Sequence, residues 1–220
     1  IQGSGGAPDS FVGTSGVDNI SIIDSSGNFF LGAQQADDTV SLVSANLNDP
    51  GVITSATLKG GAGNDSMIAT NLSVFNGVWF NGNGDVDAIT MNAGSLLSGS
   101  TIQGGQAADN LTIGAASGSL INGNRDDDTI NTNGAGGVFS SSIFGGQGND
   151  TINVNTGAQT SSIAGADGDD VITLTGNVAT STVSGGEGND TVNGSAAPTT
   201  SILAFGDDGN DQLTGTASND

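Results

Sequence analysis

Aspartate recurs along this chain at nearly regular intervals, and most of the other acidic side chains stand beside these aspartates. Successive positions lie 19 to 27 residues apart, and most steps are between 20 and 22 residues. They are Asp18, Asp38, Asp65, Asp87, Asp109, Asp128, Asp150, Asp170, Asp190 and Asp211. Carboxylate oxygens are the ligands that hard divalent cations prefer, so a repeated acidic position predicts cation binding.

Composition limits the chemistry in which these aspartates can take part. The 220 residues carry a net charge of −21, with Lys59 and Arg125 as the only cationic side chains and with neither Cys nor His. Thiolate and imidazole metal sites are therefore excluded, as are disulfides. Such a negative charge makes nucleic acid and anionic membranes poor partners. No apolar run approaches the roughly 18 residues of a transmembrane helix, so we expect no transmembrane segment.

A glycine-rich turn precedes most of these aspartates. The clearest copy, residues 145–154, reads Gly-Gly-Gln-Gly-Asn-Asp-Thr-Ile-Asn-Val. The copies at Asp65 and Asp190 match it closely, while those at Asp170 and Asp211 lose only the second glycine. Glycine in such a turn indicates a backbone with positive φ or a close approach to another group.

The elements that position these turns follow from the period and from local alternation. Repeats of about 20 to 50 residues are typical of solenoids and arrays, and Gly and Asn this frequent exclude helical repeats. Apolar and polar residues alternate after the aspartates, which predicts strands at 110–113, 151–154 and 171–174. Each coil is expected to contain two strands, one loose turn and one glycine–aspartate turn. A second apolar residue precedes the glycine turns: Leu58, Phe80, Ile102, Ile121, Ile143, Ile163, Val183 and Leu203.

The predicted fold is all-β, a right-handed parallel β-solenoid resembling a β-roll, with coils of about 20–22 residues. Stacked coils pair their strands in parallel about 4.8 Å apart and bury a column of Val, Ile and Leu that no single coil could bury. No linker interrupts the repeat, so residues 1–220 are expected to form one continuous repeat domain. Because the pattern still runs at Asp220, we expect this domain to be a segment of a longer chain.

Calcium is the cation that the turns are expected to hold. It takes about six to eight oxygen ligands, more than one turn supplies, so we expect several ions between stacked turns, each shared by two aspartates. Unit charges about 4.8 Å apart repel by roughly 0.9 kcal/mol even in water, which predicts calcium-driven folding. The turns before Asp38 and Asp109 have lost glycines, and the strongest sites are expected from Asp150 to Asp211. The candidate ligands are Asp18, Asp38, Asp65, Asp87, Asp109, Asp128, Asp150, Asp170, Asp190, Asp211, Gly60, Gly145, Gly165, Gly185, Gly206, Asn149, Asp169, Asn189 and Asn210.

The units around Asp65, Asp150 and Asp190 resemble the GGxGxDxUx motif of the RTX (repeats-in-toxin) family of secreted calcium-binding β-roll proteins. Nine-residue steps that end at Asp18 and at Asp220 are similar to that family's repeat length. The resemblance covers essentially the whole chain and implies one-step (type I) secretion without a cleaved signal, followed by folding in extracellular calcium. The chain departs from the family in its longer period and in keeping the acidic motif in only one turn per coil, since the turn at 155–160 has no acid.

The leading functional hypothesis is a calcium-stabilised structural segment of a secreted bacterial cell-surface protein, of surface-layer, fibrillar or adhesin type. One alternative is the secretion and folding module of a larger enzyme or toxin. Another is an ice- or polysaccharide-binding face, although strict Thr-x-Thr rows are missing. Catalysis is not expected, because the acids of the repeated turns lack the cationic or His partners that β-helix enzymes use. The expected partners are further copies of the chain or neighbouring domains of the same protein, with cell-surface polysaccharide as a further candidate.

Overall fold

A computed structural model of the chain describes residues 9–23, 29–43, 51–70, 72–194 and 201–215, and the regular elements in these ranges are all β-strands. Each strand pairs in parallel with its counterpart in the neighbouring coil, which confirms the parallel β-solenoid. These ranges contain no helix that could span a membrane. In most coils that the structure describes, the chain passes through three faces rather than two, since a short third strand lies in the region predicted as the loose turn, as Ala158–Gln159 does within 155–160.

The first face consists of the strands that lead into the glycine–aspartate turns. They are Asp9–Val12, Phe29–Gln35, Thr57–Ala62, Trp79–Asn83, Thr101–Gly105, Leu120–Arg125, Ser142–Gln147, Ser162–Asp167, Val178–Glu187 and Ser201–Asp208. The second face consists of the strands that follow the aspartates. They are Asn19–Ile23, Thr39–Val43, Ser66–Thr70, Ala88–Met91, Asn110–Ile113, Thr129–Thr132, Thr151–Val154, Val171–Leu174, Thr191–Asn193 and Gln212–Thr214.

The third face consists of shorter strands between the second face and the next coil. They are Gly51–Thr54, Leu72–Asn76, Leu96–Ser98, Ala115–Ser117, Val138–Phe139 and Ala158–Gln159, and the ladder continues into the start of Val178–Glu187. That long strand passes through the corner between the third and first faces. The two faces therefore form one 16-stranded sheet, while the second face is a separate ten-stranded sheet.

The second face follows the sequence prediction closely. The three strands predicted at 110–113, 151–154 and 171–174 are observed with the same bounds. The third face was not predicted, because most of its strands have only two or three residues, as Val138–Phe139 does, and are too short to show a clear alternation. Sequence periodicity thus located the long ladders and missed the short one.

Apolar side chains from all three faces fill the interior in stacked columns. On the second face the column contains Val40, Met67, Ile89, Leu111, Ile130, Ile152, Ile172 and Val192, all buried. On the first face it contains Leu31, Leu58, Phe80, Ile102, Ile121, Ile143, Ile163 and Val183, also buried. Burying one such side chain contributes about 1.5–3 kcal/mol, so the stacked columns are the main source of stability.

Leu203 does not join the first-face column, although the sequence predicted it there. Its side chain is 55% exposed. The pairing of Ser201–Asp208 with the preceding coil shifts register between Ala179 and Ser181, so Ala204 lies opposite Val183. A shift by one residue turns a side chain to the opposite side of the sheet, which accounts for the exposure of Leu203.

Thr132 places a hydroxyl group inside the apolar interior, and replacing it is expected to stabilise the fold. It lies between Ile113 and Val154 in the stacked column, fully buried, and its Oγ1 has no hydrogen-bond partner among the described residues. Thr132→Val keeps the shape and removes the unpaired group, so the free energy of unfolding should rise by about 1–2 kcal/mol. Chemical denaturation measures this change. The outward Thr129 is the control, where Val should change the free energy by less than about 0.5 kcal/mol.

Candidate functional site

From Asp38 to Asp211, the turns before the aspartates share one backbone conformation at the corner between the first and second faces. The residues four and two positions before the aspartate have positive φ, as at Gly146 (φ 129°) and Gly148 (φ 126°) before Asp150. Glycine adopts these angles without strain, which explains the second and third glycines of the motif. Elsewhere other residues take the same conformation, so turns that have lost glycines keep the shape. These residues are Gln34, Ala36, Asn83, Asp85, Ala107, Asn124, Asp126, Ala166 and Asp207.

The first glycine has a different role in the turns that contain it, which exclude the turn before Asp38, where Ala33 takes this position. The carboxylate of Asp150 packs against the α-carbon of Gly145, five residues earlier, and a methyl group on Gly145 would overlap Asp150 Oδ2. The aspartate side chain therefore folds back into its own turn instead of pointing to solvent. The same contact occurs at Gly60, Gly82, Gly104, Gly123, Gly165, Gly185 and Gly206.

The aspartates form a hydrogen-bonded row, here called the inner ladder, that includes all ten aspartates predicted to recur. The main-chain N–H of each aspartate donates to Oδ1 of the aspartate in the following coil, from Asp18 to Asp211. The N–Oδ1 distance is 2.7 Å between Asp150 and Asp170 and 3.0 Å at the last rung, Asp190 to Asp211. The side chains from Asp38 to Asp190 are only 1–3% exposed. Each aspartate thus links its own turn to a neighbouring coil.

The other carboxylate oxygen, Oδ2, has no hydrogen-bond partner in eight of these aspartates, as far as the described residues show. They are Asp38, Asp65, Asp87, Asp109, Asp128, Asp150, Asp170 and Asp190. A carbonyl oxygen of the following coil lies close by in several turns. A methyl group on Gly104 would overlap Asp109 Oδ2 and lie 2.7 Å from the oxygen of Gly123. Buried acceptors without a donor are rare in proteins, so these oxygens are suited to binding a proton or a cation.

Asp18, at the first rung, shows how such an oxygen is satisfied when the sequence supplies a donor. Thr14 donates its main-chain N–H and, over 3.1 Å, its hydroxyl group to Asp18 Oδ2. None of the later turns has a hydroxyl residue four positions before its aspartate. The later turns therefore lack this hydroxyl donor, and their residues at that position also differ from Thr14 in having positive φ.

Burial raises the pKa of the seven inner-ladder carboxyl groups from Asp65 to Asp190. Burial is the largest cause, the negative charges of nearby aspartates add to it in most turns, and the main-chain N–H bond opposes it. The pKa values are about 8 for Asp87 and Asp128, about 7 for Asp109 and Asp170, and about 6 for Asp65 and Asp150. Without a cation, a substantial part of the row would therefore hold protons near neutral pH.

The predicted ligands Asn149, Asp169, Asn189 and Asn210 lie in a separate, exposed row next to the inner ladder. Here the main-chain N–H of the following coil donates to the side chain of the preceding coil, as from Asp169 to Asn149 Oδ1 over 2.8 Å. The direction is opposite to that of the inner ladder. These residues connect the turns on the solvent side, and the Oδ1 atoms of Asn149, Asp169 and Asn189 already accept hydrogen bonds.

A second buried ladder, made of serine, lies at the corner between the third and first faces and was missed by sequence reasoning. The main-chain N–H of each residue in this ladder donates to Oγ of the serine in the following coil. The ladder begins at the N–H of Val78 and continues through Ser100, Ser119, Ser141 and Ser161 to the Oγ of Ser181. Each serine Oγ–H in turn donates to a carbonyl oxygen, as Ser119 does to Ser117 over 3.1 Å. Serine recurs in step with the aspartates, but it is too common in this chain to be distinctive. A hydroxyl group both accepts and donates, whereas a carboxylate only accepts.

The inner ladder fits calcium in the type of its oxygens, provided that the backbone completes the coordination shell. The described ranges contain no group of three or more acidic, His or Cys side chains around one point. The eight coils from Asp38 to Asp190 do offer an unpaired carboxylate oxygen, and in several turns a glycine carbonyl lies beside it, as Gly145 does beside Asp128. Carboxylate and carbonyl oxygens are both calcium ligands. Of the predicted glycines, Gly145 would thus contribute through its carbonyl group, whereas the other carbonyls beside these carboxylates belong to Gly82, Gly104 and Gly123.

The inner ladder is a row of acidic side chains that are buried and whose Oδ2 atoms mostly have no hydrogen-bond donor among the described residues. The functional interpretation of the chain therefore depends on this ladder and on the solenoid that builds it. Comparison of the chain with protein-family models, with curated proteins and with solved structures finds no match.

Proposed function

We propose that this chain is a calcium-binding, calcium-stabilised structural segment of a secreted bacterial cell-surface protein. The observation that carries the proposal is the set of eight buried aspartates whose Oδ2 atoms lack a donor. Leaving a buried acceptor unsatisfied costs about 1–3 kcal/mol, and more when it is charged. A divalent cation between coils satisfies these oxygens and reduces the repulsion along the row, so calcium binding and folding are coupled.

The chain's own groups suit this role in three respects. The Oδ2 atoms are held in fixed positions, because Oδ1 of the same carboxylate accepts a main-chain N–H from the neighbouring coil. The first glycine of the turn has no Cβ, which keeps the space beside the carboxylate open to a carbonyl of the next coil. Calcium, when bound, supplies the positive charge that this buried row lacks.

A structural role outside the cell is consistent with the architecture and the charge. The stacked coils form continuous hydrogen-bonded ladders along the solenoid, which is a geometry suited to a stiff spacer. A net charge of −21 requires counter-ions, and free calcium is far more abundant outside cells than inside them. The resemblance of the units at Asp65, Asp150 and Asp190 to RTX repeats supports type I secretion.

Calcium removal tests the proposal directly. Denaturation curves followed by circular dichroism at neutral pH should shift to higher stability in calcium than in EGTA. Each independent site should add about 2.7 kcal/mol when calcium exceeds its Kd a hundredfold. Elemental analysis should find several calcium ions per chain. Magnesium is the control and should stabilise less, because it demands a smaller octahedral shell.

Identical curves in calcium and in EGTA, together with no bound calcium, would contradict the proposal. In that case protons would be the partners of the Oδ2 atoms.

A further inference from the structure

The second face is a long surface whose outward side chains in the described strands carry no charge. The first and third residues after each aspartate point outward, and the strand registers run along this ten-stranded sheet without a bulge. A soluble surface normally has about 25–35% charged residues, so their absence in a chain of this net charge is distinctive. The outward residues are Asn19, Ser21, Thr39, Ser41, Ser66, Ile68, Ala88, Thr90, Asn110, Thr112, Thr129, Asn131, Thr151, Asn153, Val171, Thr173, Thr191, Asn193, Gln212 and Thr214.

Neighbouring coils hold some of these side chains in place. Asn153 Nδ2 donates to Asn131 Oδ1 over 3.0 Å, and Asn155 Nδ2 donates to Asn133 Oδ1 over 2.9 Å at the edge of the same face. Side chains that are ordered before binding lose less conformational freedom when a partner arrives. The face therefore presents hydroxyl and amide groups in two rows that repeat about every 4.8 Å.

The charge and the residue types of this face make most classes of binding partner unfavourable. The inner ladder at its edge and the net charge of −21 repel nucleic acids and anionic lipids. Protein interfaces use Trp, Tyr, Phe and Arg as anchors, and none of these is among the outward residues named above. The apolar members Ile68, Ala88 and Val171 are too few and too dispersed to form a hydrophobic contact. None of these arguments excludes a neutral, hydroxyl-rich polymer as the partner.

We propose that the second face binds a neutral polysaccharide laid along its two rows. Thr, Ser and Asn side chains both donate and accept hydrogen bonds, which matches the hydroxyl groups of such a chain. Single hydrogen bonds of this kind are weak, but a polymer that contacts many coils at once gains affinity through multivalency. The proposal requires the solenoid fold and is independent of calcium as the cation in the inner ladder.

A sedimentation assay with insoluble neutral polysaccharides tests the proposal, with microcrystalline cellulose and chitin as the probes. The whole chain should be depleted from the supernatant by at least one of them, and high salt should not release it, because no ion pairs are involved. Thr112→Asp and Thr173→Asp each place a negative charge in the third-residue row and should lower the bound fraction about tenfold. Ser162→Asp adds the same charge on the first face and is the matched control, which should still bind.

Circular dichroism of each variant should match that of the original chain, so that loss of binding cannot come from unfolding. No binding of the original chain to either probe would overturn the proposal, as would equal loss in the control. Repeating the assay in EGTA separates this proposal from the proposed function. If the fold persists there without calcium, polysaccharide binding should persist as well.

Discussion

Replacing Asp128 by asparagine is expected to change stability in opposite directions with and without calcium. Asparagine keeps Oδ1, which accepts the main-chain N–H of Asp109 over 2.7 Å, and places an amide donor where the unpaired Oδ2 lies beside the Gly145 carbonyl. In EGTA at mildly alkaline pH this removes a buried charge and supplies the missing donor, so the free energy of unfolding should rise by about 2 kcal/mol. In calcium the variant loses a charged ligand, and the free energy should fall by about 2 kcal/mol or more.

Ser119→Ala is the matched control for this prediction. Ser119 is a buried ladder residue whose Oγ accepts the main-chain N–H of Ser100 over 3.1 Å, but its hydroxyl also has an acceptor. Its removal leaves a buried N–H unpaired and should cost about 1–3 kcal/mol equally in calcium and in EGTA. An effect of Asp128→Asn that has the same sign and size in both conditions would argue against a cation in the inner ladder.

The stability of the calcium-free chain is expected to fall as pH rises from mildly acidic to mildly alkaline values. Burial raises the pKa of the inner-ladder carboxyls, to about 6 for Asp150, about 7 for Asp109 and about 8 for Asp128, while the unfolded value is 3.8. The folded state therefore binds more protons than the unfolded state over this range. Their stabilisation is fully present below pH 3.8 and is lost as pH rises through 6 to 8. Each carboxyl contributes a slope of about 1.4 kcal/mol per pH unit within its window.

Denaturation at several pH values in EGTA measures this slope. Asp128→Asn removes one titrating group, so its slope should be smaller by about 1.4 kcal/mol per pH unit between the folded and unfolded pKa of Asp128. Saturating calcium replaces the protons and should flatten the dependence over neutral pH. A stability that increases with pH in EGTA would show that the carboxylates have partners in the folded chain that the described residues do not reveal.

Much of the fold could be predicted from the sequence, because its main determinants are local and repeated. The alternation in Thr151–Val154 fixes which residues face inward, and the period of about 20–22 residues requires coils that stack in parallel. The spacing Gly145, Gly146, Gly148 and Asp150 also predicted positive φ and a close approach, and the structure assigns these two roles to different glycines. Where other residues replace glycine, as at Ala166, the neighbouring coils impose the same turn.

The inner ladder could be predicted only in part. The sequence placed Asp128 and Asp150 in successive coils, but it did not show that Oδ1 is bound to a backbone N–H while Oδ2 remains unpaired. That distinction depends on the direction in which the side chain folds, and this is decided by contact with a glycine five residues earlier and with the next coil. The sequence also grouped Asn149 and Asp169 with the inner aspartates, whereas the structure places them in an exposed row of opposite direction.

The sequence by itself determined the period, the parallel solenoid and the corner at which the negative charge collects. These depend on residue type and spacing, which repeat in every coil. Only the tertiary structure decided the third face, the serine ladder and the register shift that exposes Leu203. Each of these arises from hydrogen bonds between residues about 20 positions apart, in segments that are short or rich in common residues such as serine. Pairing across coils, and not local pattern, therefore fixes which buried oxygens are satisfied and which still need a proton or a cation.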